Sequence, residues 1–367
     1  MNKFKNYTYG YRIVSISKQI EVSKDLSRND LNFLEICEEK ILLYPENVEL
    51  ECDIELTENL NQANNYDVYE IWPDGRIFCR YDDDSLDNYF FITGRCNSGC
   101  IMCPSPDAAR KNGDISNPQD LIELAKHIPA FTPHLTITGG EPFLQGRKLF
   151  PFIQFLREKF EETEFLFLTN GRIFAVDSFT EEFCSCVPSN TIMGIPIHGS
   201  SPETHDRITR APGSFQQTYV GIQNLLRRGI HVEIRIVVCR LNIQDIPSIV
   251  DLIINNLPDI AYVSIMAMEM TGSAHHNREL VWIPYRESFD MISESILKLI
   301  RNGIDVKLYN FPLCTVQQEF WPLCEKSISP DKVRYAQICE SCKFHNVCGG
   351  VFAGTFMLER EELNAIQ

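Results

Sequence analysis

From Tyr89 onward, apolar runs of strand length alternate with segments whose apolar residues recur every three to four positions. Short runs rich in β-branched and aromatic residues read as buried strands, and helical spacing reads as amphipathic helices. The alternation predicts repeated βα units on a parallel sheet. Six strands are expected: Tyr89 to Thr93, Leu135 to Thr138, Phe165 to Leu168, Ile192 to His198, Val232 to Cys239 and Tyr262 to Met268. A seventh run, Val306 to Tyr309, would extend the sheet.

The helices between them carry their own punctuation. Asn117 and Pro118 form an N-cap and first-turn pair ahead of Leu121, Leu124, Ala125 and Ile128. Phe215, Tyr219, Ile222 and Leu226 repeat the pattern and Gly229 ends it, while Gly303 ends another after Ile292, Ile296 and Ile300. Six units are too few to close an eight-stranded barrel. The expected fold is therefore α/β, a partial (βα)6 TIM-like barrel over residues 86–303.

Residues 1–85 read differently, with short runs such as Tyr11-Arg-Ile-Val-Ser-Ile and Val68-Tyr-Glu-Ile-Trp separated by polar stretches. They predict a small β-rich N-terminal module in which Pro73-Asp74-Gly75 turns a hairpin and Asp82-Asp83-Asp84 marks the boundary as a solvated loop. Residues 304–367 form a cysteine-rich C-terminal segment.

Charge and composition narrow the classes. A formal net charge of -16 over 367 residues argues against nucleic-acid or anionic-membrane binding, both of which need an excess of Lys and Arg. The N-terminus lacks an apolar signal core and no stretch is long enough to span a membrane, so a cytoplasmic protein is expected. Fourteen cysteines in such a chain point to metal binding in a reducing compartment.

The cysteines group. Cys96, Cys100 and Cys103 stand in Thr93-Gly-Arg-Cys-Asn-Ser-Gly-Cys-Ile-Met-Cys-Pro, directly after the first strand. Three close thiolates can hold three corners of an iron-sulfur cube and leave one iron open. In parallel α/β folds ligands bind beyond the carboxyl ends of the strands. There the second strand is followed by Gly139-Gly140-Glu141-Pro142, the third by Thr169-Asn170-Gly171, the fourth by His198 and the sixth by Glu269. On the fifth strand Arg235 and Glu233 share a face, where the arginine either pairs with a ligand carboxylate or with Glu233 itself. A lone histidine such as His198 is commonly a satisfied structural residue.

The C-x3-C-x2-C spacing followed by Gly139-Gly140-Glu141-Pro142 resembles the radical S-adenosylmethionine (radical SAM) superfamily. The resemblance implies a SAM-binding 4Fe-4S cluster on Cys96, Cys100 and Cys103, reductive cleavage of S-adenosylmethionine and hydrogen abstraction by a 5'-deoxyadenosyl radical. It gives Gly139, Gly140 and Glu141 the methionyl amino group, with Pro142 fixing the exit from the strand; by their places on the rim, Asn170, His198 and Arg235 are the further expected cofactor contacts. Met102 stands where an aromatic residue commonly meets the adenine.

A second group, Cys314, Cys324, Cys339, Cys342 and Cys348, follows the barrel. Four thiolates make a closed site for a cluster or a structural zinc. The segment resembles a twitch/SPASM-like domain, which implies a second, auxiliary 4Fe-4S cluster on Cys314, Cys339, Cys342 and Cys348, with Cys324 as the alternative first ligand. Phe352 stands where a full SPASM pattern has a further cysteine. Cys37, Cys52, Cys79, Cys184, Cys186 and Cys239 are read as buried thiols.

Trp321-Pro, Ser327-Ile-Ser and Cys348-Gly-Gly-Val-Phe, together with the first cysteine run, are similar to the C component of His-Xaa-Ser system radical SAM maturases. That implies a precursor peptide substrate, a second radical SAM maturase of the same system as partner, and an electron donor such as flavodoxin or ferredoxin. A radical SAM enzyme on another protein or small molecule, and a noncatalytic zinc scaffold, are the alternatives.

Overall fold

A computed structural model describes residues 2–37 and 40–367. Eight strands form one parallel sheet in chain order: Tyr89–Phe91, His134–Thr138, Glu164–Leu168, Thr191–Pro196, His231–Val237, Tyr262–Met266, Val306–Tyr309 and Cys324–Glu325. The six expected runs are all strands, four of them ending two residues earlier than their apolar character. The seventh run joins the sheet, and the last strand, only two residues long, carries no periodic signal. Helices cover the outer face, as the βα alternation requires.

The caps act as their residues predict. Asn117 accepts a hydrogen bond from Gln119 N at 3.1 Å and opens the helix Pro118–His127. Gly229 and Gly303, at φ 75° and 76°, follow the helices Ser214–Leu226 and Tyr285–Arg301.

The N-terminal module is a six-stranded mixed sheet spanning Arg12 to Tyr81, and Gly75 (φ 82°) turns its last hairpin. Two helices, Ile20–Arg28 and Ile54–Gln62, were not expected there. Both are short and largely polar, nine residues with two buried residues each. Ile13, Val68 and Tyr81 belong to the same apolar cluster as the barrel core, which fixes the module against the barrel. Ser15 Oγ meets His127 Nδ1 at 2.9 Å across that seam.

Of the six cysteines read as buried thiols, Cys186 and Cys239 are buried, but Cys37 and Cys79 are exposed. Both lie on strands of the small module, too thin to cover both faces of its sheet.

Candidate active site and second cysteine centre

The strand Tyr89–Phe91 delivers the cysteine loop to the rim of the barrel, and four further elements clamp that loop. Gly99 N and Ile101 N donate to Thr209 O and Ile208 O at 2.8 and 2.9 Å. Arg110, 6% exposed, donates to Cys100 O at 3.0 Å and to Ser273 Oγ at 2.7 Å, and pairs with Asp107. Ser273 N donates to Cys103 O at 2.9 Å. Arg172 Nη1 donates to Asn97 O at 2.7 Å, and Asn170 Nδ2 to Asn97 Oδ1 at 2.7 Å.

Cys96, Cys100 and Cys103 border one cavity of about 260 Å³ together with Gly139, Gly140, Asn170 and Arg235. A larger cavity, about 460 Å³, opens at the seam between module and barrel, and none of the cysteines borders it. The chemistry-bearing residues therefore favour the smaller one.

The two glycines do more than admit a ligand. Gly140 N donates to Thr93 O at 2.7 Å and Glu141 N to Arg95 O at 2.8 Å, so the turn packs backbone against backbone on the cysteine loop. A β-carbon on Gly139 would lie 2.4 Å from Thr93 O. Close approach of the two loops requires glycine there whatever occupies the cavity.

Glu141 is buried and does not border the cavity. Its Oε1 accepts from Thr169 Oγ1 at 2.7 Å and Phe143 N at 3.1 Å, and its Oε2 from Asn170 N at 2.7 Å. Burial raises its pKa, while these hydrogen bonds pull the other way. The carboxylate ties the second strand's turn to the third strand's end instead of projecting charge at a ligand. Pro142 opens the 3-10 helix that follows.

Met102 and His198 are not brought to the cavity. Met102 is 5% exposed and packs with Ile101, Ile208, Met268 and Met270, because the Ile101–Ile208 hydrogen bond turns this stretch towards an apolar cluster. His198 is buried beside His205, ring centroids 5.6 Å apart, and burial with that neighbour lowers its pKa to about 3. It is a neutral core residue. Arg235 borders the cavity but spends Nη1 on Glu233, at 2.8 and 3.0 Å from its two oxygens. Of the two roles open to this arginine, the ion pair is therefore formed within the protein, and Nη2 is directed at Met266 Sδ, 3.4 Å away.

The loop's clamps, Arg110 and Arg172, were not among the expected site residues. The signal for Arg110 was local: an arginine three residues after Asp107 on the helix that follows the cysteines.

In the C-terminal segment Cys314, Cys339, Cys342 and Cys348 border one narrow pocket, which Cys324 does not reach. The chain end covers it through Leu363, Asn364 and Ile366, with Ile366 N 3.4 Å from Cys342 Sγ. His345 borders the same pocket, and its buried Nδ1 has no partner among the described residues.

Burial raises the pKa of Cys96, Cys314 and Cys339, and pushes Cys100 up to about 12, its neighbours Cys103 and Cys96 adding to the effect. Loading either group with metal therefore releases protons. Among the described residues no three His, Cys, Asp or Glu side chains converge on one ion-sized point. The donor chemistry nevertheless suits iron-sulfur ligation: thiols without carboxylates in the ligand positions, and backbone N–H groups at sulfur, Ser98 N to Cys96 and Gly350 N to Cys348 at 3.4 and 3.5 Å.

A model of the radical SAM superfamily matches residues 90–253. The chain is similar to Fe-coproporphyrin III synthase of Methanosarcina barkeri, 27% identical over 222 residues that cover 59% of this chain and 53% of that protein. It is also similar to GTP 3',8-cyclase of Petrotoga mobilis, 27% identical over 186 residues, covering 49% and 56%. The chain thus spans about half the length of the curated relatives it matches. Among solved structures, Streptococcus suis SuiB bound to precursor peptide SuiA aligns with a TM-score of 0.50 at 12% identity, covering 62% of this chain and 49% of SuiB. At that identity the likeness is one of fold.

Proposed function

We propose, from the premise that residues 90–253 are a radical SAM domain, that the chain is a radical SAM maturase of a ribosomally made peptide. The carrying observation is the cavity at the carboxyl ends of the strands, bordered by Cys96, Cys100, Cys103 and the Gly139-Gly140 turn. Those cysteines would hold a 4Fe-4S cluster with one open iron, which supplies the electron that cleaves S-adenosylmethionine to a 5'-deoxyadenosyl radical. The protein's own part is to bind, orient and shield. Gly139 and Gly140 offer main-chain groups at the cavity wall, Asn170 an amide, and Arg235 a guanidinium whose charge Glu233 offsets.

The peptide reading, with a His-Xaa-Ser repeat partner, rests on the second cysteine group and on wording shared with that family. Support comes also from the fold likeness to SuiB, which was solved with its precursor peptide. The similarity to a porphyrin-forming enzyme and a nucleotide cyclase favours a second reading, a small-molecule substrate. In the maturase reading, an auxiliary 4Fe-4S cluster occupies Cys314, Cys339, Cys342 and Cys348. The histidine in that pocket makes Cys3His zinc its competitor. A cytoplasmic location, a second maturase and an electron donor complete the proposal.

Anaerobic reconstitution with iron and sulfide, then dithionite and S-adenosylmethionine, is expected to give 5'-deoxyadenosine. A loaded protein that forms none would end the enzyme reading. Metal analysis is expected to find about eight iron atoms per chain. About four iron with one zinc would reassign the second site. Mass spectrometry of a co-expressed His-Xaa-Ser peptide should show a changed mass, and an unmodified peptide beside active enzyme would favour the small-molecule reading.

A further inference from the structure

One buried cation is tied into the cysteine loop at each of its three cysteines. Cys96 N donates to Arg110 O at 3.1 Å, and Arg110 Nη1 donates to Cys100 O at 3.0 Å. Nη2 donates to Ser273 Oγ at 2.7 Å, and Ser273 N donates in turn to Cys103 O at 2.9 Å. Nη2 also pairs with Asp107. The remaining donor, Nε, is buried and has no partner among the described residues. A charged donor closed to water and left without an acceptor is costly, so it points to an acceptor that belongs to the loaded site. Arg110 borders the inner cavity together with Cys96, Cys100 and Cys103, where loading with iron and sulfide supplies thiolate and sulfide sulfur. It also borders a hollow of about 360 Å³ on the loop's outer face, but a dissolved anion there does not reach an Nε that is closed to water.

We infer that Arg110 Nε donates a hydrogen bond to sulfur of the cluster that Cys96, Cys100 and Cys103 hold, and that this arginine thereby raises the cluster's reduction potential. The inference rests on the radical SAM reading above. Reduction adds one negative charge, so a hydrogen-bond donor and a cation beside the sulfurs stabilise the reduced form more than the oxidised one. No bond breaks and no proton leaves Arg110, which stays charged. Its charge is not cancelled where it stands: the Arg110 side chain is 6% exposed and that of Asp107 56%, so water screens the carboxylate more than the guanidinium. Arg235, the other guanidinium on the cavity wall, is by contrast held by both oxygens of buried Glu233. A clamp alone would use Nη1 and Nη2 and leave Nε unpaired.

The test uses the full-length chain, its arginines labelled with the heavy nitrogen isotope, reconstituted anaerobically with iron and sulfide and kept free of S-adenosylmethionine. Pulsed EPR of the dithionite-reduced cluster is expected to show coupling to an arginine nitrogen. The coupling should vanish in Arg110→Lys, which keeps the cation and loses Nε. In an EPR-monitored redox titration, the ratio of reduced to oxidised cluster at a fixed potential should be lowered about tenfold in that variant, a shift of about 59 mV for a one-electron couple. A loaded, reduced cluster without arginine coupling, or equal potentials in equally loaded proteins, would overturn the inference while leaving the radical SAM reading intact. Where Arg110→Lys fails to fold or to load, Asp107→Asn answers: that side chain is 56% exposed, and asparagine keeps an acceptor for Arg110. The freed charge should raise the same ratio about threefold, and an unchanged ratio overturns the inference. An unaltered chain that takes up no iron ends the radical SAM reading, and the inference falls with it.

Discussion

Gly140 has no room for a side chain: a β-carbon there would stand 2.3 Å from Arg95 O and 2.6 Å from Gly94 O. Both obstacles are main chain of the segment that leads into Cys96, so neither can swing aside. Gly140→Ala must move one loop or the other, at a cost of about 1–3 kcal/mol for overpacking. The expected outcome is a lower unfolding temperature together with weaker iron uptake, read by calorimetry and metal analysis on the same sample. Unchanged iron uptake in a destabilised protein would separate the turn from the cysteine loop. Phe143, next but one after Glu141, supports the same turn from below. It lies 4.9 Å from Phe174 and 5.5 Å from Phe183 between ring centroids, in edge-on contacts. Truncation to alanine there should cost about 3–5 kcal/mol, with proteolysis of the turn as the local readout.

The long helix Tyr285–Arg301 begins at Pro284 with no side-chain cap of its own. The missing acceptor comes from the far end of the chain: Glu359 Oε1 takes a hydrogen bond from Tyr285 N at 2.7 Å. A carboxylate at a helix N-terminus is favourable, yet here burial raises its pKa to about 7, and Oε2 has no partner among the described residues. The folded pKa lies above the unfolded value of 4.5. The folded state therefore holds this proton more tightly, and its stabilising effect is full below about pH 4.5 and lost as pH rises through 7. The loss is roughly 3 kcal/mol at most. Glu359→Gln keeps an acceptor for Tyr285 N without the charge, so in urea unfolding the stability difference between the variant and the unaltered protein should grow in the variant's favour between pH 4.5 and 7 and leave the variant more stable at pH 8. A difference that does not change with pH would show that Glu359 is ionised in the fold. This contact also marks what the sequence could not disclose. The barrel strands were legible because each is an apolar run, and the cysteine spacing because both groups are local. Glu359 on Tyr285 and the burial of His198 and Met102 are tertiary meetings of residues whose own neighbourhoods read as ordinary helix or turn.

At the scale of the whole molecule, neutral histidines hold separate parts together. His127 joins the module to the barrel through Ser15, while His198 and His205 lie together under the rim. Burial lowers their pKa values to about 4, 3 and 4, with Lys159 and Lys126 adding to the effect at His127 against the opposite pull of Glu123. Beside His205, Asp206 raises and Arg172 lowers. All three folded values lie below the unfolded 6.5. Their contribution is therefore complete above pH 6.5 and declines as pH falls towards 4. At pH 5 each neutral ring has lost about 2 kcal/mol. Three together approach the 5–15 kcal/mol, roughly, that a domain has in total. Acid unfolding is expected near pH 5, steeply, with about three protons taken up, followed by circular dichroism. His127→Leu should remove about one proton from that transition. It leaves the Ser15 hydroxyl unpaired in the seam, so it should also destabilise the protein by about 1–3 kcal/mol at pH 8. Limited proteolysis of this variant at pH 8 should cut first between the module and the barrel, near Asp82 to Asp87. Cleavage confined to the C-terminal segment would show that the seam is held by Ile13, Val68 and Tyr81 alone.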